Sequence, residues 1–120
     1  MSLTINVREV ANATILEVAG RLTLGASGPS LQETVRELLA SSHKNIVLDL
    51  GGVTYFDSFG LGQLIAVNTT ALSRGGAIKL LNLNQKTEEL MLLTKLYTVF
   101  AIYTDEAKAL MSFSTPTVQS

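Results

Sequence analysis

The chain has 120 residues, of which 47% are hydrophobic and 16% are charged. This length fits a single domain, because two hydrophobic cores would leave each half too small to be stable. The chain contains no cysteine, which excludes disulfides, cysteine-bound zinc and cysteine nucleophiles. The formal net charge is -1 and Lys and Arg form no cluster, so nucleic-acid binding has no electrostatic support.

Hydropathy argues against a targeting or membrane segment. The first apolar stretch is interrupted by charged residues, unlike the unbroken apolar run of a signal peptide. No run of about 18 or more uncharged apolar residues is present, which is the length that a membrane-spanning helix needs. We therefore predict a soluble cytoplasmic protein without a membrane or nucleic-acid partner.

The first twenty residues alternate between apolar and polar side chains. This pattern predicts two antiparallel strands over residues 3–10 and 13–20. A tight turn at residues 11–13 joins them, since Asn12 tolerates a positive φ. Residues 21–24, bracketed by two glycines, predict a short extended or irregular continuation.

A helix and a buried strand are predicted next. Residues 29–42 carry apolar side chains at helical spacing, with Pro29 in the first turn and Ser27 or Gly28 as the cap. Residues 45–51 contain four apolar residues, three of them consecutive, bounded by turn residues. This run predicts a central strand that is covered on both faces.

The second long helix is predicted to follow the segment 57–62 and to end near Arg74, where two glycines stop it. Residues 77–83 predict another short buried strand. The predicted apolar stripe of the helix consists of Leu61, Leu64, Ile65, Asn68, Ala71 and Leu72.

The last third of the chain predicts a helix over residues 86–96, a short strand over residues 101–103 and a final helix capped by Thr104. Core packing is the first explanation of the apolar run 90–93, and an exposed remainder would indicate contact with a partner. The predicted inward residues of the third helix are Leu90, Leu93 and Tyr97, or alternatively Met91 and Thr94.

The predicted order of elements is β-β-α-β-α-β-α-β-α. Short buried strands that alternate with helices indicate an α/β structure with parallel crossovers. We predict one domain over residues 1–113, with a mixed β-sheet, an N-terminal hairpin and about four helices. A flexible tail over residues 114–120 follows it.

The junction between the central strand and the second long helix is the main candidate site. Asp57 or Ser58 can cap the helix by accepting a backbone N–H. Gly60 and Gly62 each weaken the first turn by about 1 kcal/mol relative to Ala. Glycines at a helix start allow a second backbone or a phosphate to approach closely. Tight packing of the capped helix against a neighbouring strand is the alternative explanation.

The run Asp57, Ser58, Phe59, Gly60, Leu61, Gly62 resembles the signature of STAS-domain proteins, the bacterial anti-sigma-factor antagonists. Their motif is Asp-Ser-(Ser or Thr)-Gly-(Leu or Ile)-Gly after an apolar strand. The resemblance extends over about residues 3–112. Further segments fall in family order: residues 21–23, the strand around Asp49, Gly75 with Gly76, residues 93–103, and residues 105–107.

The resemblance implies partner switching. An unphosphorylated antagonist binds an anti-sigma factor that is also a serine kinase, and the sigma factor is released. The kinase then phosphorylates the hydroxyl residue just before the glycine, and a serine phosphatase reverses this step. A phosphate adds roughly -1.5 to -2 charges, which an acidic or apolar partner surface would not tolerate.

This sequence departs from the family motif at the phosphoacceptor position, which is occupied by Phe59. Either Ser58 is phosphorylated instead, or phosphorylation at this site is lost. Phe59 either anchors a partner or packs onto the sheet. We predict that residues 57–62 dock a partner together with the loop at residues 21–25. The alternative is a non-phosphorylated scaffold or sensor subunit of a larger signalling assembly.

Enzymatic roles have little support. Ser58 or Asp57 could act as a covalent nucleophile only with a base in hydrogen-bond reach. The single histidine, His43, lies at a predicted helix end, where a favourable interaction with the helix C-terminus is expected. Asp49 is expected to hydrogen-bond the loop that follows its strand. We therefore predict no catalytic residue, no cofactor and no metal.

Overall fold

Five strands and four helices follow one another along residues 2–114, the part of the chain that the computed structural model describes. Their order confirms the predicted α/β arrangement. The elements are β1 (Leu3–Val10), β2 (Ala13–Leu22), α1 (Leu31–Ala40), β3 (Asn45–Phe56), α2 (Ser58–Ser73), β4 (Ala77–Leu81), α3 (Gln85–Thr94), a 3₁₀ turn (Leu96–Thr98), β5 (Ala101–Tyr103) and α4 (Glu106–Ser114).

The strands form one mixed sheet in the order β1-β2-β3-β4-β5. β1 and β2 are antiparallel, and every later neighbouring pair is parallel. The hairpin turn places its positive φ of 54° at Ala11 rather than at the expected Asn12. Of the predicted tail, Ser114 ends α4 and residues 115–120 lie outside the described residues.

Helices cover both faces of the sheet. One face carries α1 and α2 over the main hydrophobic core, which contains Leu16, Leu48, Val35 and Leu64. The opposite face carries α4, whose Ala109 packs into a smaller cluster. Because successive strand residues point to opposite faces, neighbouring residues of one strand enter different clusters. The other buried members of this smaller cluster are Ile15, Val47 and Leu81.

β3 is longer than the sequence predicts. It continues through Gly51 and Gly52 to Phe56, with a register shift against β2 between Glu17 and Ala19. A Cβ at Gly52 would lie 2.9 Å from the Cβ of Ala19. The glycine pair, which looks like a strand end in the sequence, therefore lets two strands approach closely and carries the chain to the start of α2.

Several helix predictions need correction. α1 begins at Leu31, and its cap is Ser30, whose Oγ accepts the Glu33 N–H at 3.2 Å. The predicted caps Ser27 and Gly28 lie further upstream. Asp105, rather than Thr104, caps the first turn of α4, since its Oδ1 accepts the Ala107 N–H at 2.9 Å.

The buried faces of α2 and α3 also differ in part from the prediction. Leu64 and Ala71 are buried on α2, whereas Ile65 and Leu72 face solvent. On α3 the alternative set of inward residues is correct at Met91, which is buried. Leu93 of the first set is wrong, since its side chain is 83% exposed. The apolar run 90–93 thus supplies one core residue and leaves most of its surface uncovered.

Candidate partner-docking surface

Asp57 connects two separate parts of the chain at the start of α2. It is the N-cap residue, and its Oδ1 accepts the Gly60 N–H at 2.9 Å. Its Oδ2 accepts the Leu24 N–H at 3.0 Å. One carboxylate therefore fixes the loop that follows β2 to the first turn of α2, which places the two predicted docking elements side by side.

The same hydrogen bonds set the ionisation of Asp57. The Gly60 N–H first, and then the Leu24 N–H, lower the pKa of the Asp57 carboxyl below its usual value. Both donors interact more strongly with a carboxylate than with a protonated acid. Asp57 is therefore ionised at neutral pH and serves as an acceptor only.

The two glycines of the first turn have different surroundings. A Cβ at Gly60 would lie 1.9 Å from the Leu22 carbonyl oxygen, so the end of β2 packs directly against the helix backbone. A Cβ at Gly62 would meet nothing within 4 Å. Tight packing therefore explains Gly60 alone, and Gly62 leaves helix backbone uncovered on the solvent side.

The other motif residues divide between surface and core. Ser58 is exposed, and the ring of Phe59 is 43% exposed and not part of either hydrophobic cluster. The interpretation of Phe59 as a residue packed onto the sheet is therefore wrong. Leu61 is partly buried and packs against the main core.

The whole of α2 is uncharged, from Ser58 to Ser73. Besides Phe59, its exposed apolar side chains are Ile65 and Leu72. Gln63 Oε1, one turn beyond Phe59, is a buried acceptor without a partner among the described residues. The solvent side of this helix thus lacks the charged residues that normally face water.

A groove lies beside this surface, between the end of β3 and α3. It has a volume of about 260 Å³. At the same end of the sheet, the Arg21 guanidinium lies 4.7 Å from the centre of the Tyr55 ring, a cation–π contact. Sequence reasoning missed the groove, and the only signal was the apolar run 90–93. Its lining includes Tyr55, Phe56, Lys86, Glu89, Leu90 and Leu93.

Two other candidates have structural partners away from this surface. Asp49 Oδ1 accepts the Gly51 N–H at 3.0 Å within β3, and its Oδ2 accepts from Asn82 Nδ2 at 3.1 Å, just after the end of β4. The expected contact with a loop after its own strand is wrong, because β3 continues past Asp49 to Phe56. His43, three residues after the end of α1, has its Nδ1 3.6 Å from Glu9 Oε2 of β1.

Within residues 2–114, no group of three or more His, Asp or Glu side chains is arranged to hold a metal ion. None of the helices in that range combines the length and apolar character needed to cross a membrane.

A family model described as "Mlab, STAS domain" matches residues 5–101. The chain belongs to the STAS domain family. Over 102 residues it is 28% identical to the anti-sigma-B factor antagonist of Bacillus subtilis, and the match covers 85% of this chain and 92% of that protein.

Solved structures share this STAS fold. An anti-sigma factor antagonist from Mycobacterium paratuberculosis superposes with a TM-score of 0.81 at 24% identity, over 95% of this chain and 96% of that chain. The phosphorylated form of the Bacillus cell fate determinant SpoIIAA superposes with a TM-score of 0.69 at 14% identity, over 92% and 99% of the two chains. These similarities establish the architecture.

Proposed function

We propose that this STAS domain is a regulatory binding module of the anti-sigma-factor-antagonist type. It binds an anti-sigma factor that is also a serine kinase and thereby frees a sigma factor. The observation that carries this proposal is the double hydrogen bond of the Asp57 carboxylate to Gly60 and Leu24. This bond holds the loop and the start of α2 as one preorganised surface, which lowers the entropic cost of docking.

Each exposed residue of the motif has a distinct role in the proposed contact. Phe59 is the anchor, because half-exposed aromatic rings that become buried on binding contribute strongly to affinity. Gly62 allows a partner to approach the helix backbone, since no side chain stands there. Ser58 lines the contact between them.

Phe59 also determines how binding is regulated. A phenyl ring has no hydroxyl, so the position that the family phosphorylates accepts no phosphate. Phosphate on the adjacent Ser58 would lie next to the ionised Asp57 carboxylate, and the like charges would repel each other. We therefore infer that binding is constitutive with respect to this site, and that no serine phosphatase acts there.

A second function is favoured by the uncharged solvent side of α2. Ile65 and Leu72 extend the exposed apolar surface well beyond the motif. An exposed apolar surface along α2 is expected in a subunit whose α2 is permanently covered by another subunit of an assembly. The second candidate is therefore a non-phosphorylated scaffold or sensor subunit of a larger signalling assembly.

The binding role is tested by calorimetric titration with an anti-sigma factor kinase, chosen as the one whose gene lies nearest to the gene for this chain. Phe59→Ala and Asp57→Ala should each weaken binding at least tenfold. Leu72→Ala is the matched control, because Leu72 is an exposed apolar residue at the far end of the same helix. Unchanged affinity in the two motif variants, with the fold intact, would refute the antagonist role. If Leu72→Ala loses affinity instead, the scaffold or sensor role is favoured.

Intact mass after incubation with the same kinase and ATP tests the regulatory claim. We expect no added phosphate on the wild-type chain. Phe59→Ser restores a hydroxyl at the family position and should become phosphorylated. A mass gain in the wild type that disappears in Ser58→Ala would show that the acceptor has moved to Ser58.

A further inference from the structure

The outer edge of β1 presents backbone groups in a defined pattern. The Arg21 N–H of β2 donates to the Ser2 carbonyl at 3.3 Å, whereas the Leu3 N–H donates away from β2, to the Ser27 carbonyl at 2.8 Å. Backbone bonds alternate in direction along an antiparallel strand. The even-numbered residues of β1 therefore bond to β2, and the odd-numbered residues point their N–H and C=O groups outward.

Beyond Leu3 the outward groups have no backbone partner among residues 2–114. They belong to Ile5, Val7 and Glu9. This stretch has no proline, and its pairing with β2 continues without a bulge, so two of the devices that protect an edge strand are absent. Its charged side chains are those of Arg8 and Glu9. Val7, at its centre, is 48% exposed.

We propose that a second copy of this chain pairs with the β1 edge in antiparallel orientation, with the two-fold axis at Val7. In this register Val7 pairs with its own equivalent, and Ile5 pairs with Glu9 of the second copy in both directions. Each of these three pairs exchanges two N–H···O=C bonds. The pairing therefore uses every free outward group of the segment, and the two sheets become one continuous sheet.

The segment is complementary to itself, which favours a second copy over an unrelated strand. The free residues are symmetric about Val7, as a two-fold interface requires. Valine meets valine, and Asn6 lies opposite Arg8 of the second copy, so no like charges are opposed. The other sheet edge, β5, has only three residues and offers no comparable segment.

The length of the segment sets the expected strength of the dimer. Five residues extend over about 17 Å in a strand. Such a contact falls well short of the roughly 800 Å² per partner that stable interfaces bury. The dimer should therefore form reversibly and only at high protein concentration. It does not depend on the proposed docking function, because β1 and β3 are separated by β2.

Single-cysteine crosslinking tests the proposal directly, because the natural chain has no cysteine. A hydrogen-bonded antiparallel pair places its two Cα atoms about 5.5 Å apart, within the range of a disulfide. Under oxidised glutathione, Val7→Cys should form a covalent dimer at least tenfold faster than Val99→Cys. Val99 is the matched control, since its exposure of 47% equals that of Val7 within one percentage point.

Sedimentation equilibrium supplies the second measurement. The dimer fraction of the wild type and of Val99→Lys should rise with concentration. Val7→Lys should remain monomeric, because two lysines would meet on the two-fold axis. The proposal is overturned if the wild type stays monomeric up to about 1 mM, or if Val7→Lys dimerises as the wild type does. Equal crosslinking rates of the two cysteine variants would also overturn it.

Discussion

The helices α1 and α2 pack side by side on the same face of the sheet, but their solvent sides differ. α1 exposes Glu33, Arg36 and Glu37, as expected for a helix that faces water. α2 has no charged residue and exposes Phe59 among its apolar side chains. The fold needs only the buried side of each helix. The domain core does not require the uncharged side of α2, which is the side that the proposed partner would cover.

The two helix starts differ in the same way. The Ser30 hydroxyl accepts one N–H of its own helix. The Asp57 carboxylate accepts one N–H of its helix and one from a separate loop, at Leu24. α1 is thus capped locally, whereas the start of α2 is assembled from two segments that are distant in sequence.

The largest expected effect separates the two glycines of α2. Gly60→Ala places a Cβ against the Leu22 carbonyl oxygen and should lower the free energy of unfolding by about 3 kcal/mol, since the helix must move off the strand. Urea denaturation measures this change. If the free energy of unfolding falls by less than about 1 kcal/mol, the start of α2 can shift at little cost and its close packing against β2 is not a structural requirement.

The second test compares the two caps. Ser30→Ala should lower the free energy of unfolding by about 1 kcal/mol, the usual contribution of an N-cap. Asp57→Ala should lower it more, because the loop bond at Leu24 is lost as well. Hydrogen exchange should also accelerate at the Leu24 amide in Asp57→Ala and not in Ser30→Ala. If the two variants lose equal free energy of unfolding and the Leu24 amide exchanges at an unchanged rate, the Asp57 contact with the loop adds no stability.

The third test uses pH, because the Asp57 cap titrates and the Ser30 cap does not. An aspartate in the unfolded chain has a pKa of about 3.9, and folding lowers the pKa of Asp57. The unfolded state therefore binds the proton first as the pH falls, and stability is lost. Urea denaturation at several pH values should show the wild type losing its advantage over Asp57→Asn below about pH 4. A constant difference between the two proteins down to pH 2 would contradict the lowered pKa.

The smallest effect concerns the glycine that faces solvent. Gly62→Ala should raise the free energy of unfolding by up to about 1 kcal/mol, because alanine favours the helix and its Cβ meets no atom. The same variant should weaken binding of the anti-sigma factor kinase if a partner approaches the helix backbone there. A gain in stability without a loss of affinity would remove Gly62 from the docking surface.

Local signals in the chain were sufficient for much of the fold. The alternation in residues 3–10 and 13–20 marked the hairpin, and the apolar run at residues 45–51 marked the central strand. Asp57 was recognisable as a cap, because an acid followed by a helical pattern is a helix-start signal. These features depend on neighbours within a few residues, so periodicity and capping chemistry reveal them.

Other features depend on contacts between distant residues. The hydrogen bond from Leu24 to Asp57, the approach of Leu22 to Gly60 and the continuation of β3 through Gly52 all join segments far apart in the chain. No local pattern contains that information. The same is true of α3, where the apolar run fits two registers and only packing against the sheet selects Met91 as the buried residue.

The order of elements, the family motif and the aromatic residue at its phosphoacceptor position were present in the amino-acid sequence alone. Only the tertiary structure decided which of those residues face solvent. It buried Gly60 and left Gly62 and about half of the Phe59 ring exposed, since the end of β2 packs against the helix at Gly60, whereas a Cβ at Gly62 would meet nothing within 4 Å among residues 2–114. Side-chain chemistry is local, whereas exposure depends on how the whole chain packs.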